Sequence, residues 1–214
     1  MGRSRVAILI CSYNEGKTVK KIVHQAMKIG QVFLIDDCSN DNTQNDLKNL
    51  KINYYRNNKN LGYEKSLNKG FGIILRKKFK ILITMDADGQ HKIIDVNKII
   101  KKIEKFDIVV GSRKKKNNIL ENFLSYWTKK KLNLNDILCG LKAYKMEKFK
   151  NFYNSEDLIG TQYLFFGILR NFKIGEVKIF PENRKYGNSK YYSRIFNYLK
   201  ILKLIFIVKK IKYN

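Results

Sequence analysis

Ile81-Leu82-Ile83-Thr84-Met85-Asp86-Ala87-Asp88-Gly89-Gln90 is the stretch on which the reading of the chain turns. Its first five residues are almost wholly apolar, too few for a stable helix and without polar alternation. Such a run suits a strand covered on both faces, as parallel sheets require. It stops abruptly at two carboxylates one residue apart, followed by a glycine and an amide. With ten Asp in 214 residues, about half a D-x-D is expected by chance, so the tripeptide alone is weak and its position carries the argument. In an open parallel sheet, ligands bind at the carboxyl ends of the strands, where this pair lies. Two carboxylates there, with Gln90 as a third oxygen, form a hard-oxygen site suited to Mg²⁺ or Mn²⁺ bridging phosphates. A turn or capping cluster is the alternative.

The same pattern extends in both directions. Val6 to Ile10 is a second apolar run, and Val19, Ile22, Val23, Ala26 and Met27 after it mark one face of a helix ending near Gly30. Val32 to Ile35 reads as a strand, followed by Asp36 to Thr43, rich in residues that bond their own backbone in turns and caps. Asp36-Asp37-Cys38-Ser39 there is placed to accept hydrogen bonds from a ribose or base, with an N-cap for the following helix as the alternative. Asn53 to Arg56 is a short strand, and Leu67, Phe71, Ile74 and Leu75 mark a helix. Downstream, Val96, Ile99, Ile100 and Ile103 form a helical face, and Ile108 to Val110 a strand closed by Gly111-Ser112-Arg113. Strands alternating with helices imply right-handed βαβ units, an α/β fold and a mostly parallel sheet. Beyond residue 114 the pattern predicts a basic loop at 114–118, helices within 119–134 and 157–170, and a strand over 173–180.

The chain carries 44 Lys plus Arg against 18 Asp plus Glu, a net charge of +26. A polyanionic partner is one implication, be it nucleic acid, an anionic membrane or phosphorylated small molecules; a solvated basic surface is the other. Only 8 of the cations are Arg, the residue suited to forked recognition of phosphates and base edges. A nucleic-acid-binding module would account for the charge, but not for carboxylates gathered at strand ends. Cys11, Cys38 and Cys139 are scattered and without a CxxC pair, which fits a reducing cytoplasm and no structural zinc. No signal peptide or membrane-spanning run is expected, and GxGxxG and P-loop motifs are absent.

The ordered motifs Ile10 to Glu15, Ile35 to Thr43, Asn60-Leu61-Gly62 and Met85 to His91 resemble those of family 2 glycosyltransferases of the GT-A fold. Gly111 to Arg113, Cys139 to Lys142 and Arg184 to Lys190 resemble its polyprenyl-phosphate branch, which includes dolichyl-phosphate mannosyltransferases and bactoprenol glucosyltransferases. The resemblance implies a Rossmann-like sheet and a metal-dependent inverting transfer of a hexose from a nucleotide sugar to a polyprenyl phosphate. It implies donor binding by Cys11, Tyr13, Glu15, Ile35, Asp37, Asp86, Ala87 and Asp88, metal binding by Asp86, Asp88 and Gln90, and acceptor or phosphate binding by Arg113, Arg184 and Lys190. Asp88 and Arg113 are the residues expected to be catalytic. Cys11, Cys139 and Lys142 stand where the family usually has Pro, Ser and Arg.

A phosphate acceptor is already anionic near neutral pH and needs no base, whereas a sugar hydroxyl in polysaccharide or glycolipid assembly would need one. Asp136, Glu156 and Asp157 are the acids available for that alternative. Residues 1–190 are expected to form the glycosyltransferase domain. Residues 191–214 are expected to form a basic amphipathic helix, with Ile195, Leu199, Leu202, Ile205 and Phe206 on one side. Such a helix either lies on the cytoplasmic face of a membrane as a peripheral anchor or packs on protein.

Overall fold

In the computed structural model, which describes residues 6–114, 116, 118–152, 158, 160–184, 186 and 195–211, seven strands form one sheet in the order β3-β2-β1-β4-β6-β5-β7. The strands are β1 (Val6–Ser12), β2 (Gln31–Asp36), β3 (Asn53–Arg56), β4 (Ile81–Asp86), β5 (Ile108–Arg113), β6 (Lys142–Lys145) and β7 (Ile174–Ile179). The helices are α1 (Gly16–Met27), α2 (Thr43–Leu47), α3 (Tyr63–Leu75), α4 (Ile93–Ile103), α5 (Ile119–Leu132), α6 (Gln162–Leu169) and α7 (Ile195–Lys210). Pairing is parallel everywhere except at β6, which runs antiparallel to both β4 and β5. The α/β, mostly parallel expectation therefore holds.

The apolar runs are continuous because both faces of each strand are covered. Ile8, Ile10, Leu34 and Ile83 point to the layer of α1 and α4, where Val19, Ile22, Val23, Val96 and Ile99 meet them. Ala7, Leu9, Phe33, Ile35 and Leu82 point to the opposite layer of α3, α5, α6 and α7. There Phe71 of α3 stacks on Tyr163 of α6 at 3.7 Å between ring centroids. Each fully buried Val, Ile, Leu or Phe side chain contributes about 1.5–3 kcal/mol, so the two apolar layers are the main force holding helices to sheet.

Two expectations change. The strand β6 is missing from the sequence reading, because four residues with a lysine at each end give no apolar run; yet Lys142, Ala143 and Tyr144 are all buried. In α7 the apolar stripe read from sequence is divided. Ile201, Leu204, Ile205 and Val208 are buried in the core cluster, whereas Leu199, Leu202 and Phe206 are 56%, 47% and 60% exposed. α7 packs beside α5, so the helix is part of the folded body, through a face that the sequence stripe did not single out.

Candidate active site

Register across β2, β1 and β4 brings three chain exits to one edge. Ser12 pairs with Asp36, and Cys11 pairs with both Ile35 and Asp86. The first two exits are tied to each other: the amide of Asn14 donates to Ser39 Oγ at 2.9 Å, and the Asn40 amide donates to Asn14 Oδ1 at 2.7 Å. Asn14 itself adopts φ 54°, a left-handed turn that asparagine tolerates.

Asp36 and Asp37 serve different ends. Asp36 is fully buried and accepts from the Ser39 amide at 2.9 Å and the Tyr54 hydroxyl at 2.5 Å. Asp37 accepts from the Asn57 side chain and the Leu61 amide, both at 2.8 Å, and from the Gly62 amide at 2.7 Å. Both of its oxygens thus organise the Asn60-Leu61-Gly62 loop. Ile35, carried over as a donor residue, has its side chain wholly in the core, and the Ala87 carbonyl accepts from Thr18 Oγ1 at 2.7 Å. Tyr13 and Glu15 lie half-buried beyond β1, and Cys11 lies at the end of that strand, where burial together with Asp86 and Asp37 pushes its thiol well above the usual range.

Asp86 is the last residue of β4 and Asp88 follows in a turn that closes through Gly89, at φ +83°. The Asp86 carboxylate lies against the backbone of Gly140, where an added Cβ would fall 2.2 Å from Oδ2 and force the carboxylate to shift. His91, buried, places Nε2 3.0 Å from Asp86 Oδ2. Burial pushes the Asp86 carboxyl upward, but the His91 hydrogen bond and the nearby Lys142 and Arg113 charges outweigh it and hold the group below the usual range. Asp88 is pushed up instead, by burial and then by the charge of Asp86. Its Oδ1 accepts from the Gln90 amide at 3.0 Å.

Arg184, almost one hundred residues further along, closes over this pair. Its Nη1 is 3.4 Å from Asp88 Oδ2, and its Nη2 bonds Glu15 Oε1 directly. The loop that carries it is strapped to the Asp88 turn: Glu182 N donates to the Gln90 carbonyl at 2.9 Å, and Gln90 Nε2 donates to the Glu182 carbonyl at 3.1 Å. Among the described residues no three His, Cys, Asp or Glu side chains converge as a preformed metal cage. A hard cation such as Mg²⁺ is commonly held by one or two carboxylates with the remaining oxygens from substrate phosphates. Asp86 and Asp88, one seated against glycine and the other raised by its neighbour, fit that type of site.

Arg113, expected to hold acceptor phosphate, lies differently. Its Nε donates to Asp136 Oδ2 at 2.7 Å, and its Nη2 donates to Asp136 Oδ1 at 3.1 Å and to Glu121 Oε2 at 3.3 Å. Lys116 adds a contact of 3.4 Å to Asp136. The guanidinium therefore has Asp136 as a bidentate partner; burial alone would loosen its proton, but the Asp136 carboxylate outweighs this and holds it more firmly than usual. Asp136, buried yet held below the usual range by Arg113, is in turn positioned by Glu176, which accepts from the amides of Asn135 and Asp136. Lys142 is wholly buried and donates to the Cys139 carbonyl at 2.5 Å. Lys190, Glu156 and Asp157 lie outside the described residues. Gly140 and Glu176 are the positions whose parts only the fold reveals; the Gly in Cys139 to Lys142 was the available signal.

Residues 7–175 match the family model described as glycosyl transferase family 2. An uncharacterized protein of Methanocaldococcus jannaschii is 30% identical over 95% of this chain and 96% of its own length. The UDP-N-acetylglucosamine–dolichyl-phosphate N-acetylglucosaminyltransferase of Methanococcus voltae is 31% identical over 53% of each chain, so this chain spans about half of that relative. The undecaprenyl-phosphate mannosyltransferase of Micrococcus luteus is 24% identical over 68% of each. Among solved structures, glucosyl-3-phosphoglycerate synthase of Mycobacterium tuberculosis, in complex with Mn²⁺, UDP and phosphoglyceric acid, superposes with a TM-score of 0.74. That match covers 100% of this chain and 81% of that one at 13% identity, a likeness of fold. With fold and family model in agreement, the chain is a glycosyltransferase of the GT-A fold and belongs to glycosyl transferase family 2.

Proposed function

We propose that this glycosyltransferase moves a hexose, with inversion, from a nucleotide sugar of the GDP-mannose or UDP-glucose type to a polyprenyl phosphate, using Mg²⁺ or Mn²⁺. The observation that carries the reading is the pair Asp86 and Asp88 at the exit of β4, with Glu15 and Arg184 facing it. A divalent cation bound there would neutralise the departing nucleoside diphosphate. Asp86 and Asp88 would hold it, and Gln90 would turn its amide oxygen to the same side. The nucleoside would sit against Tyr13 and the Asp37-organised loop, between the exits of β1 and β2. Arg184, already beside Asp88, would shift from the carboxylates to the diphosphate and stabilise charge as the anomeric bond breaks. Lys190 would add positive charge for the acceptor.

Arg113 orients the acceptor side through its pair with Asp136, and its remaining guanidinium edge is what it has for a phosphate. The lipid acceptor is supported by the relatives named for dolichyl and undecaprenyl phosphate. The UDP and Mn²⁺ bound to the glucosyl-3-phosphoglycerate synthase of like fold support a nucleotide-sugar donor with a divalent cation. Transfer to a sugar hydroxyl is the second reading, and it needs a base. Asp136 does not suit that part, because Arg113 and Lys116 hold it as a paired carboxylate. A lipid acceptor places the chain at a membrane surface, on the cytoplasmic side where nucleotide sugars are available. Among the described residues no helix is long and apolar enough to cross a membrane.

The test is a panel of UDP- and GDP-sugars scored for thermal stabilisation with and without Mn²⁺, followed by transfer to a short-chain polyprenyl phosphate. One donor should raise the melting temperature only with the cation, since only a ligand that prefers the native state does so. Stabilisation by every sugar nucleotide without cation, or transfer to a free sugar but not to the lipid phosphate, would overturn the reading.

A further inference from the structure

We propose that the outward faces of α5 and α7 form one continuous surface that docks on an anionic lipid bilayer; this deepens the lipid-acceptor reading above and rests on it. Ile119, Phe123 and Tyr126 of α5 are 84%, 46% and 58% exposed, and Leu199, Leu202 and Phe206 of α7 are exposed to a similar degree. At about 100° per residue, each trio forms a single stripe on its helix, opposite the buried Leu124 and Thr128 of α5 and the buried Leu204 and Val208 of α7. The stripes adjoin, because Lys209 of α7 lies over the rings of Phe123 and Trp127 of α5, at 5.5 Å and 4.7 Å. Elsewhere among the described residues the exposed large apolar side chains are Ile94 on α4, Leu169 on α6, Phe180 and Tyr186.

Charge selects the occupant. α7 contains four lysines and no acid; α5 contains three lysines, and its one acid, Glu121, is buried against Arg113. Lys130, Lys209 and Lys210 rim the apolar stripes, with Lys210 over the Phe206 ring at 4.4 Å. Two copies of such a surface would repel each other across their lysines, whereas a bilayer with anionic lipids offers an apolar interior under a negative headgroup layer. Position agrees. Ile119 opens α5 two residues before Glu121, which touches Arg113 at the end of β5, so the apolar surface begins at the edge where the strands present the site. A lipid phosphate could reach that edge while its chain stays in the bilayer.

The test is co-sedimentation of the full chain with phosphatidylcholine vesicles, alone or containing phosphatidylglycerol, in the absence of donor and acceptor. The parent should bind the anionic vesicles more tightly, and brominated lipid should quench Trp127, the sole tryptophan, half-buried on α5. F123S/Y126S and L202S/F206S should each weaken vesicle binding about tenfold or more, with I94S as an unchanged control and melting temperatures retained, because the altered side chains face water. Turnover on a short soluble phosphate acceptor should be unaltered in these variants. Double variants that bind vesicles as the parent does would overturn the proposal. So would a parent that self-associates without lipid and is returned to monomer by L202S/F206S. If vesicle binding falls as stated while no polyprenyl phosphate is glycosylated by any form, the surface stands and the acceptor reading fails.

Discussion

Two clusters of charged side chains lie along the same edge of the sheet, and they are built differently. Behind β5, Arg113 and Lys116 meet Asp136 and Glu121 in a buried group where each cation has a carboxylate partner. At the exit of β4, Asp86 and Asp88 face each other as like charges, and the guanidinium that reaches Asp88 comes from a distant loop. The first arrangement has settled its electrostatics within the fold. The second gathers carboxylates at a rim, where His91 meets Asp86 and Arg184 reaches Asp88 from a distant loop. A fully paired buried cluster fixes geometry, whereas an unbalanced one at a strand end awaits a cationic ligand.

The largest effect should come from the unbalanced cluster. Asp88→Asn should lower transfer on the order of a thousandfold even in saturating metal, while leaving the melting temperature no lower than that of the parent; steady-state kinetics beside calorimetry checks both. Turnover close to the parent value would place Asp88 among turn residues. Next, Asp136→Asn should destabilise the fold by about 3–5 kcal/mol in urea denaturation, because Arg113 would be left buried without its bidentate partner. A stable Asp136→Asn protein that has merely lost activity would erase the contrast between the clusters and return Asp136 to the role of a base.

A smaller effect, about tenfold, is expected for Gly140→Ala on the metal concentration needed for half-maximal activity, since the new methyl group displaces the Asp86 carboxylate. Equal metal dependence in the two proteins would mean that the carboxylate has room to swing aside. The smallest concerns pH. The folded Asp88 carboxyl is raised above its unfolded value, so the native state holds that proton more tightly, and this group opposes folding above its folded pKa. Metal-free protein should therefore gain stability from this group as pH falls through that range, and Asp88→Asn should remove this part of the dependence, with a melting temperature on the order of 2 °C higher at neutral pH. Added Mn²⁺ should shift the acid limb of activity to lower pH, because cation and proton compete for one carboxylate. A limb unmoved by metal would assign the titration to another group.

The strand-end motifs were legible because each follows an apolar run whose length and abrupt stop reveal a buried strand. The helices α1, α3 and α4 were legible through their periodic apolar faces. What sequence could not show was pairing. Arg113 and Asp136 were read as a phosphate ligand and as a conditional base, yet they are each other's partners across 23 positions. Nor could it show that Gly140 cradles Asp86, because a glycine's neighbours are invisible until the chain folds. In α7 the sequence has apolar residues on nearly every side, so periodicity alone could not tell the face against α5 from the face against water.

The placement of β6 also bears on how the chain assembles. β4 and β5 are successive strands joined through α4, but they do not pair; β6, arriving about thirty residues after β5, lies between them and opposes both. During synthesis the unit of β1, β2, β3 and β4 can close early from neighbouring segments. The free flank of β4 meanwhile stays open, with β5 as a tempting but wrong neighbour. Completion of the sheet thus waits on a four-residue segment with a lysine at each end, a poor strand former until both flanks are there to receive it.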